Sequence, residues 1–239
     1  MLTKNSNLII GGFFFLLGFY AYRTDDLIGL MICLWFGIAF SFFWLLHFLK
    51  VNFSIDWGRC LVRDSFLKYF LISVVVFPYL FVKYLSLFMQ SLREKPITQV
   101  TDHIFIGQQL LWFHQRIFKA NKLSAVLDVT VENVEPLFIS TDKTIHFLRV
   151  PVLDKTSPSV SQLEGGVRWG LDQIAAGKNL YVHCAAGHER SATFVSAILL
   201  KLGICKTIEE AMALIKQKRP KVRFVGDQKI ILERWLAGN

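Results

Sequence analysis

Cysteines are scarce and poorly placed for one another. Cys33, Cys60, Cys184 and Cys205 are the four among 239 residues. No pair has a spacing that fits a disulfide framework or a zinc site, so no metal centre is expected. Basic residues are not interleaved with aromatics in a repeat, and no zinc-finger spacing or basic helical arm is present. Nucleic acid is therefore disfavoured as a partner. No clear small-x-small pair follows the first apolar run. Although Lys4 supplies a basic start, an uncleaved segment fits better than a signal peptide. Charge is missing altogether from Leu27 to Leu49.

Apolar side chains are in excess. They make up 53% of the chain, and the mean hydropathy is +0.42. That is too apolar for a purely soluble globular protein. The excess lies between Leu8 and Met89. Leu27 to Leu49 is about long enough to cross the hydrocarbon core of a bilayer as a helix. Leu8 to Tyr22 is shorter but extends to the uncharged Asn5, and the tight link Arg23-Thr24-Asp25-Asp26 makes the two a helical hairpin. Phe66 to Met89 is a third segment. Lys68 and Lys83 near its ends can snorkel, and a membrane helix tolerates Pro78 where freed backbone groups find partners. A helix in the interface, or packed on a soluble domain, is the alternative for this segment. The expectation is a multi-pass integral membrane protein. Its spans are about 5–22, 27–49 and 66–89, inside a first region 1–95, with a catalytic domain over 96–239. Lys50, Arg59 and Arg63 favour the cytoplasm, which with three spans puts the C-terminal domain outside. A thiolate-dependent domain favours a reducing compartment. The arguments conflict, and the cytoplasmic side is slightly favoured for the catalytic domain.

The net charge is +9. From Pro96 onward eighteen Lys and Arg face thirteen Asp and Glu, a surplus of five. Such a surface suits phosphorylated substrates or anionic lipid, and reads equally well as ordinary solvated basic residues.

Beyond a boundary at Ser91 to Thr101, strand and helix signals alternate. Ile104 to Gly107, Ala125 to Val129, Ile145 to Val152 and Asn179 to His183 read as strands. Leu163 to Ala175, Ser191 to Leu202 and Thr207 to Gln217 read as helices, the last opened by a Thr-x-x-Glu capping pattern. The fold class implied is α/β, with a central, mainly parallel sheet flanked by helices.

Leu180 to Ser191 carries the chemistry. A strand runs into the small-residue loop Cys184-Ala185-Ala186-Gly187-His188-Glu189, then into a helix. Successive amides entering a helix N-terminus cradle an anion. The same positive end, with Arg190, favours the Cys184 thiolate, a nucleophile that needs no separate base. Arg190 offers a planar fork for two phosphate oxygens. Gly187 allows a backbone conformation that other residues resist.

His183-Cys184, Gly187, Arg190 and Ser191 match the HCxxGxxR(S/T) signature, and on them the chain resembles the cysteine-dependent phosphatases of the protein-tyrosine and dual-specificity type. The resemblance extends over about residues 97–236. Ile97 to Gly107 is similar to the family's opening strand. Val126 to Glu132 resembles a recurrent segment that usually has Asn where Asp128 stands. Val150 to Asp154 resembles the general-acid loop, and Lys216 to Pro220 the late helix ending in Arg-Pro. The resemblance implies a phosphatase-like fold without a cofactor. Cys184 is then the nucleophile, and Arg190 and the amides of Ala185, Ala186, Gly187, His188, Glu189 and Arg190 bind phosphate. Asp154 is then the general acid, Ser191 stabilises the departing thiolate, and His183 orients the loop. Glu132, Glu135 and Asp142 compete for the acid's role, and Asp128 fits a brace for a turn.

The implied substrates are phosphorylated proteins, on tyrosine, serine or threonine, or phospholipids. Phosphoinositide phosphatases of this superfamily often carry Lys or Arg inside the loop. Here Glu189 adds negative charge and argues against a highly charged inositol phosphate, unless it points outward as a brace. Gly187 to Thr193 is also similar to phosphatidylglycerophosphate phosphatases. A binding pseudophosphatase is the third reading, against which the intact Cys184, Arg190 and Asp154 weigh.

Overall fold

The computed structural model describes residues 6–48, 66–131 and 135–238. The expectations placed on Glu132, on the linker 50–65 and on the ends of the first two apolar segments at Asn5 and Leu49 lie outside these residues. The chain divides into two compact units, Met1–Ser86 and Leu87–Asn239.

The first unit contains the expected helical hairpin, α1 (Ser6–Arg23) and α2 (Leu27–Phe48). Asp25 takes a positive φ of 56° at the turn. Asp26 Oδ1 accepts the Gly29 amide proton at 2.9 Å, capping an otherwise unpaired donor at the start of α2. The helices run antiparallel, since Gly11 approaches Ser41, Phe14 stacks near Phe36 and Phe40, and Gly18 approaches Cys33. A third helix, α3 (Phe66–Ser91), contains Pro78 and carries its last turn into the second unit.

These helices correct the membrane expectation. Among the described residues no helix is long and apolar enough to cross a membrane, contrary to a multi-pass integral protein with spans at 5–22, 27–49 and 66–89. α1 has 18 residues, three of them glycine, and at 1.5 Å each it reaches about 27 Å, short of a core of about 30 Å. The sequence of α3 is interrupted by Lys68, Pro78 and Lys83.

The second unit is built on five strands: β1 (Ile97–Gln99), β2 (Ile104–Gln108), β3 (Leu123–Asp128), β4 (His146–Arg149) and β5 (Asn179–Cys184). Their spatial order is β1-β2-β5-β3-β4. β1 pairs antiparallel with β2, and every other pairing is parallel. Between them lie a short 3-10 turn (Trp112–His114), α4 (Gln115–Ala120), α5 (Leu137–Ser140) and α6 (Val160–Ala175), and after β5 follow α7 (Arg190–Lys201), α8 (Ile208–Lys218) and α9 (Gln228–Ala237).

The period-two alternation of the strands sorts the core into two layers. Ile104, Ile106, Ala125, Leu127, Leu180 and Val182 join residues of α6 to α9 on one face. Phe105, Val126 and Tyr181 meet Phe118 and Ile139 on the other. Burying each such Leu, Ile or Phe side chain contributes about 1.5–3 kcal/mol. β5, a near-continuous apolar run, lies at the centre with β2 and β3 on either side, as a strand buried on both faces must.

Two local details differ from the sequence reading. β4 stops at Arg149 instead of continuing to Val152, because Pro151 has no amide proton to give the ladder and Val150 makes its last bond, to Asp128 O at 2.8 Å. α6 begins earlier than Leu163, at Val160. Ser159 and Gln162 cap it reciprocally, a capping box with serine at N-cap. At the front of α8 only half of the expected box forms: Thr207 Oγ1 accepts from the Glu210 amide at 3.1 Å, while the Glu210 carboxylate accepts from the Lys206 amide at 2.7 Å.

Candidate active site

β5 delivers Cys184 to the C-terminal edge of the sheet, where open α/β sheets bind ligands. The loop from Cys184 to Glu189 then feeds α7. A trans peptide points its C=O and N–H in opposite directions, so what holds the carbonyls determines where the amides aim. Four successive carbonyls of the loop are held from outside. Ala185 O accepts from the Gln109 amide at 3.0 Å. Ala186 O accepts from Gln90 Nε2 at 2.8 Å and Arg219 Nη2 at 3.0 Å. Gly187 O accepts from Arg219 Nε at 2.9 Å, and His188 O from the Arg223 amide at 2.9 Å. On the inner side the Gly187 amide donates to Cys184 Sγ at 3.2 Å.

Gly187 makes the tight path possible. Its φ is +73°, and a Cβ there would fall 2.3 Å from the Gly107 carbonyl.

Cys184 is 3% exposed. Burial pushes its thiol up, but the Arg190 charge and bonds from Ser191 and the Gly187 amide overcome this and hold it below the ordinary range. Ser191 Oγ lies 3.4 Å from Sγ. Burial pushes Cys205, the other buried thiol among the described residues, the opposite way.

Arg190 is almost wholly buried. Nη1 donates to Val152 O at 2.7 Å, and Nη2 to Asp154 Oδ1 at 3.1 Å. Asp154 thus lies beside the guanidinium, its side chain 45% exposed. The structure brings Cys184, Arg190, Ser191 and Asp154 together. It separates Asp142 and Glu135, the competing acids among the described residues, from them. Asp142 precedes β4, at the opposite edge of the parallel strands, and binds the Thr144 amide and hydroxyl. Glu135 is buried against His183.

That pairing is the contribution sequence reasoning missed. His183 and Asp128 are register partners on β5 and β3. His183 Nε2 lies 3.1 Å from Glu135 Oε1, an ion pair whose ring N–H is poorly aligned for a hydrogen bond. Its Nδ1 sits 3.4 Å from Cys184 O. Burial pushes the imidazole down, yet Glu135 and Asp128 lift it to about 9. Burial pushes both carboxyls up. In Glu135 the His183 and Arg149 charges overcome this and hold it below its usual value, whereas Asp128 stays above. Asp128 also accepts from Thr130 Oγ1 at 2.6 Å and Arg149 Nε at 2.7 Å, bracing the turn after β3. Among the described residues Asp128, Glu135 and His183 bring potential ligand atoms within 4.8 Å of one another. Two cations, His183 and Arg149, already balance the two carboxylates, so the cluster reads as a buried ion network.

Glu189 is also buried, its Oε1 accepting from Arg223 Nε and Nη2 at 3.2 and 3.0 Å. Its charge is matched by Arg223. Arg219 and Arg223, which tie three of the four loop carbonyls, follow α8; Arg219 belongs to the Lys216 to Pro220 stretch that the sequence already displayed, and Arg223 lies beyond it.

The model of the dual specificity phosphatase catalytic domain matches residues 104–232, more than half of the chain. The chain belongs to this family. Human dual specificity protein phosphatase 16 is 29% identical over 126 residues, covering 52% of this chain and 18% of the relative. Mouse phosphatidylglycerophosphatase and protein-tyrosine phosphatase 1 is 35% identical over 92 residues, covering 38% of this chain and 47% of the relative. The chain thus spans less than two thirds of either relative. Among solved structures, PTPMT1 in complex with PI(5)P shares the fold with a TM-score of 0.54 at 23% identity, covering 60% of this chain and 96% of that one.

Proposed function

We propose that this chain hydrolyses phosphomonoesters through a phosphocysteine on Cys184, acting on phosphorylated tyrosine, serine and threonine in proteins. One observation carries the reading: a thiol held below its ordinary pKa inside a loop whose carbonyls are tied outward, with Arg190 beside it. In the first step the Cys184 thiolate attacks phosphorus. The S–P bond forms as the bond to the leaving oxygen breaks, and Asp154 gives that oxygen its proton. Arg190 and the loop amides of Ala185 to Arg190 bind the phosphoryl oxygens. In the second step the Asp154 carboxylate takes a proton from water, whose oxygen attacks phosphorus. The S–P bond breaks, and the Ser191 hydroxyl stabilises the returning thiolate. His183 orients the loop through the Cys184 carbonyl. Residues 96–239 form the catalytic domain of this proposal.

A second reading, a phospholipid phosphatase, is favoured by the 35% identity to the mouse phosphatidylglycerophosphatase and protein-tyrosine phosphatase 1. The uncharged Ala185 and Ala186 weigh against inositol phosphates within it. A phospho-binding module without turnover would not require a lowered thiol beside an acid. Phosphate release from phosphopeptides, phosphatidylglycerophosphate and phosphoinositides separates these readings. Phosphopeptides are expected to be turned over fastest, and Cys184→Ser to release nothing from any substrate. Faster release from phosphatidylglycerophosphate establishes the second reading, and parent-level turnover by Cys184→Ser removes the mechanism.

A further inference from the structure

We infer that Gln90 and Glu94, which precede the span 104–232 matched by the phosphatase family, are positioning residues of the phosphate-binding loop. The inference rests on the reading of Cys184 as nucleophile. Both residues belong to the same compact unit as the loop.

The peptide between Ala186 and Gly187 is the critical one. Outside the loop Gln90 and Arg219 hold its carbonyl, at 2.8 and 3.0 Å, while inside its amide donates to Cys184 Sγ at 3.2 Å. Turning this peptide over would break all three bonds and aim an oxygen at the thiolate. Gly187, free to adopt either sign of φ, resists such a turn least. The resistance must come from the outside bonds.

Glu94 supports them from one layer further out. Its Oε2 lies 2.7 Å from His188 Nε2 and 3.7 Å from Arg219 Nη2, and its Oε1 accepts from Lys221 Nζ at 2.6 Å. It is the counter-ion of a buried guanidinium that donates to both Ala186 O and Gly187 O, and it fixes the ring of a loop residue. Arg219 also donates to Lys95 O at 2.7 Å, so the segment after α3 and the loop share one clamp.

The test uses the full chain with Gln90→Glu, which keeps the shape but replaces a donor by an acceptor, and Glu94→Gln. Two readouts need no turnover. The first is the pH midpoint for alkylation of Cys184 by iodoacetamide. The second is the concentration of inorganic phosphate that protects the thiol. The charged or titratable groups facing Cys184 are Arg190 from α7, Arg219 at the end of α8, and Tyr181 and His183 of its own strand, and none is altered. Gln90→Glu is expected to raise the midpoint and to raise the protecting phosphate concentration about tenfold, the scale of one lost hydrogen bond. Glu94→Gln is expected to shift both in the same direction by less, with melting temperatures near the parent's. A merely structural role would move melting and leave the midpoint in place. Parent-like midpoints and protection in both variants overturn the inference. Should Gln90→Glu not fold, Glu94→Gln alone decides it. If phosphate fails to protect the parent while the midpoint still moves, the phosphatase reading fails, and Gln90 and Glu94 position the Cys184 thiol alone.

Discussion

Arg190 has two jobs that a point charge cannot combine. One arm of its fork holds Val152 O and the other meets Asp154, so the residue joins the loop of Asp154 to the start of α7. Arg190→Lys is therefore expected to be nearly as damaging as Arg190→Ala, lowering kcat/KM by about 10³-fold on aryl phosphates. Near-parent efficiency in the lysine variant would show that the fork is not used. Asp154 is half exposed at a loop, where a leaving oxygen can reach it. Asp154→Asn is expected to slow poor leaving groups by about 10²–10⁴-fold and good ones far less. Rates across aryl phosphates of graded leaving-group pKa check this, and parallel lines for parent and variant would return the role to another acid.

In β5 and the loop it feeds, backbone geometry and buried charge shape the surroundings of Cys184. Gly187→Ala places a methyl group 2.3 Å from the Gly107 carbonyl at a φ of +73°, so the loop must reopen. The expected result is a fall of about 10²-fold or more in kcat/KM, with phosphate inhibition weakened in parallel. A variant that keeps parent kinetics would show that the loop tolerates another path. Behind it, His183 is lifted to about 9 from an ordinary 6.5 by Glu135 and Asp128, against its burial. A base whose folded pKa is raised contributes its full stability below pH 6.5 and loses it as pH rises through about 9. The melting temperature should therefore fall over that window. Glu135→Gln removes the main source of the lift and should flatten the fall. An unchanged slope in melting curves taken from pH 6 to 10 would separate His183 from Glu135.

At the scale of the whole chain, the second compact unit begins at Leu87, before the proposed catalytic domain 96–239. The difference is the turn that carries Gln90 and Glu94. A protein of residues 87–239 keeps both, whereas one of residues 96–239 leaves Ala186 O without Gln90 and Arg219 without its counter-ion. The shorter protein is expected to bind vanadate about tenfold more weakly or worse, with a lower melting temperature. Both lack the first unit, so competitive inhibition of one against the other isolates the turn. Equal inhibition would place the working boundary at 96.

The sequence alone determined the α/β class, the parallel strands, the helical hairpin and the phosphatase loop. These are local patterns: an apolar strand, a nucleophile, small residues with a glycine, then Arg-Ser opening a helix. Five residues in one continuous segment are legible because the chemistry needs them adjacent. The tertiary structure decided what long-range packing alone can bring together. Glu135 reads as a loop acid in sequence. Only the pairing of β3 with β5 creates the buried corner in which it meets His183. The carbonyl ties come from residues 90, 109, 219 and 223, scattered along the chain and lacking any shared motif. The apolar runs of the first third suggested spans by hydropathy. Among the described residues no helix is long and apolar enough to cross a membrane. Composition reports how apolar a segment is. The length of unbroken helix it forms is fixed by turns and packing.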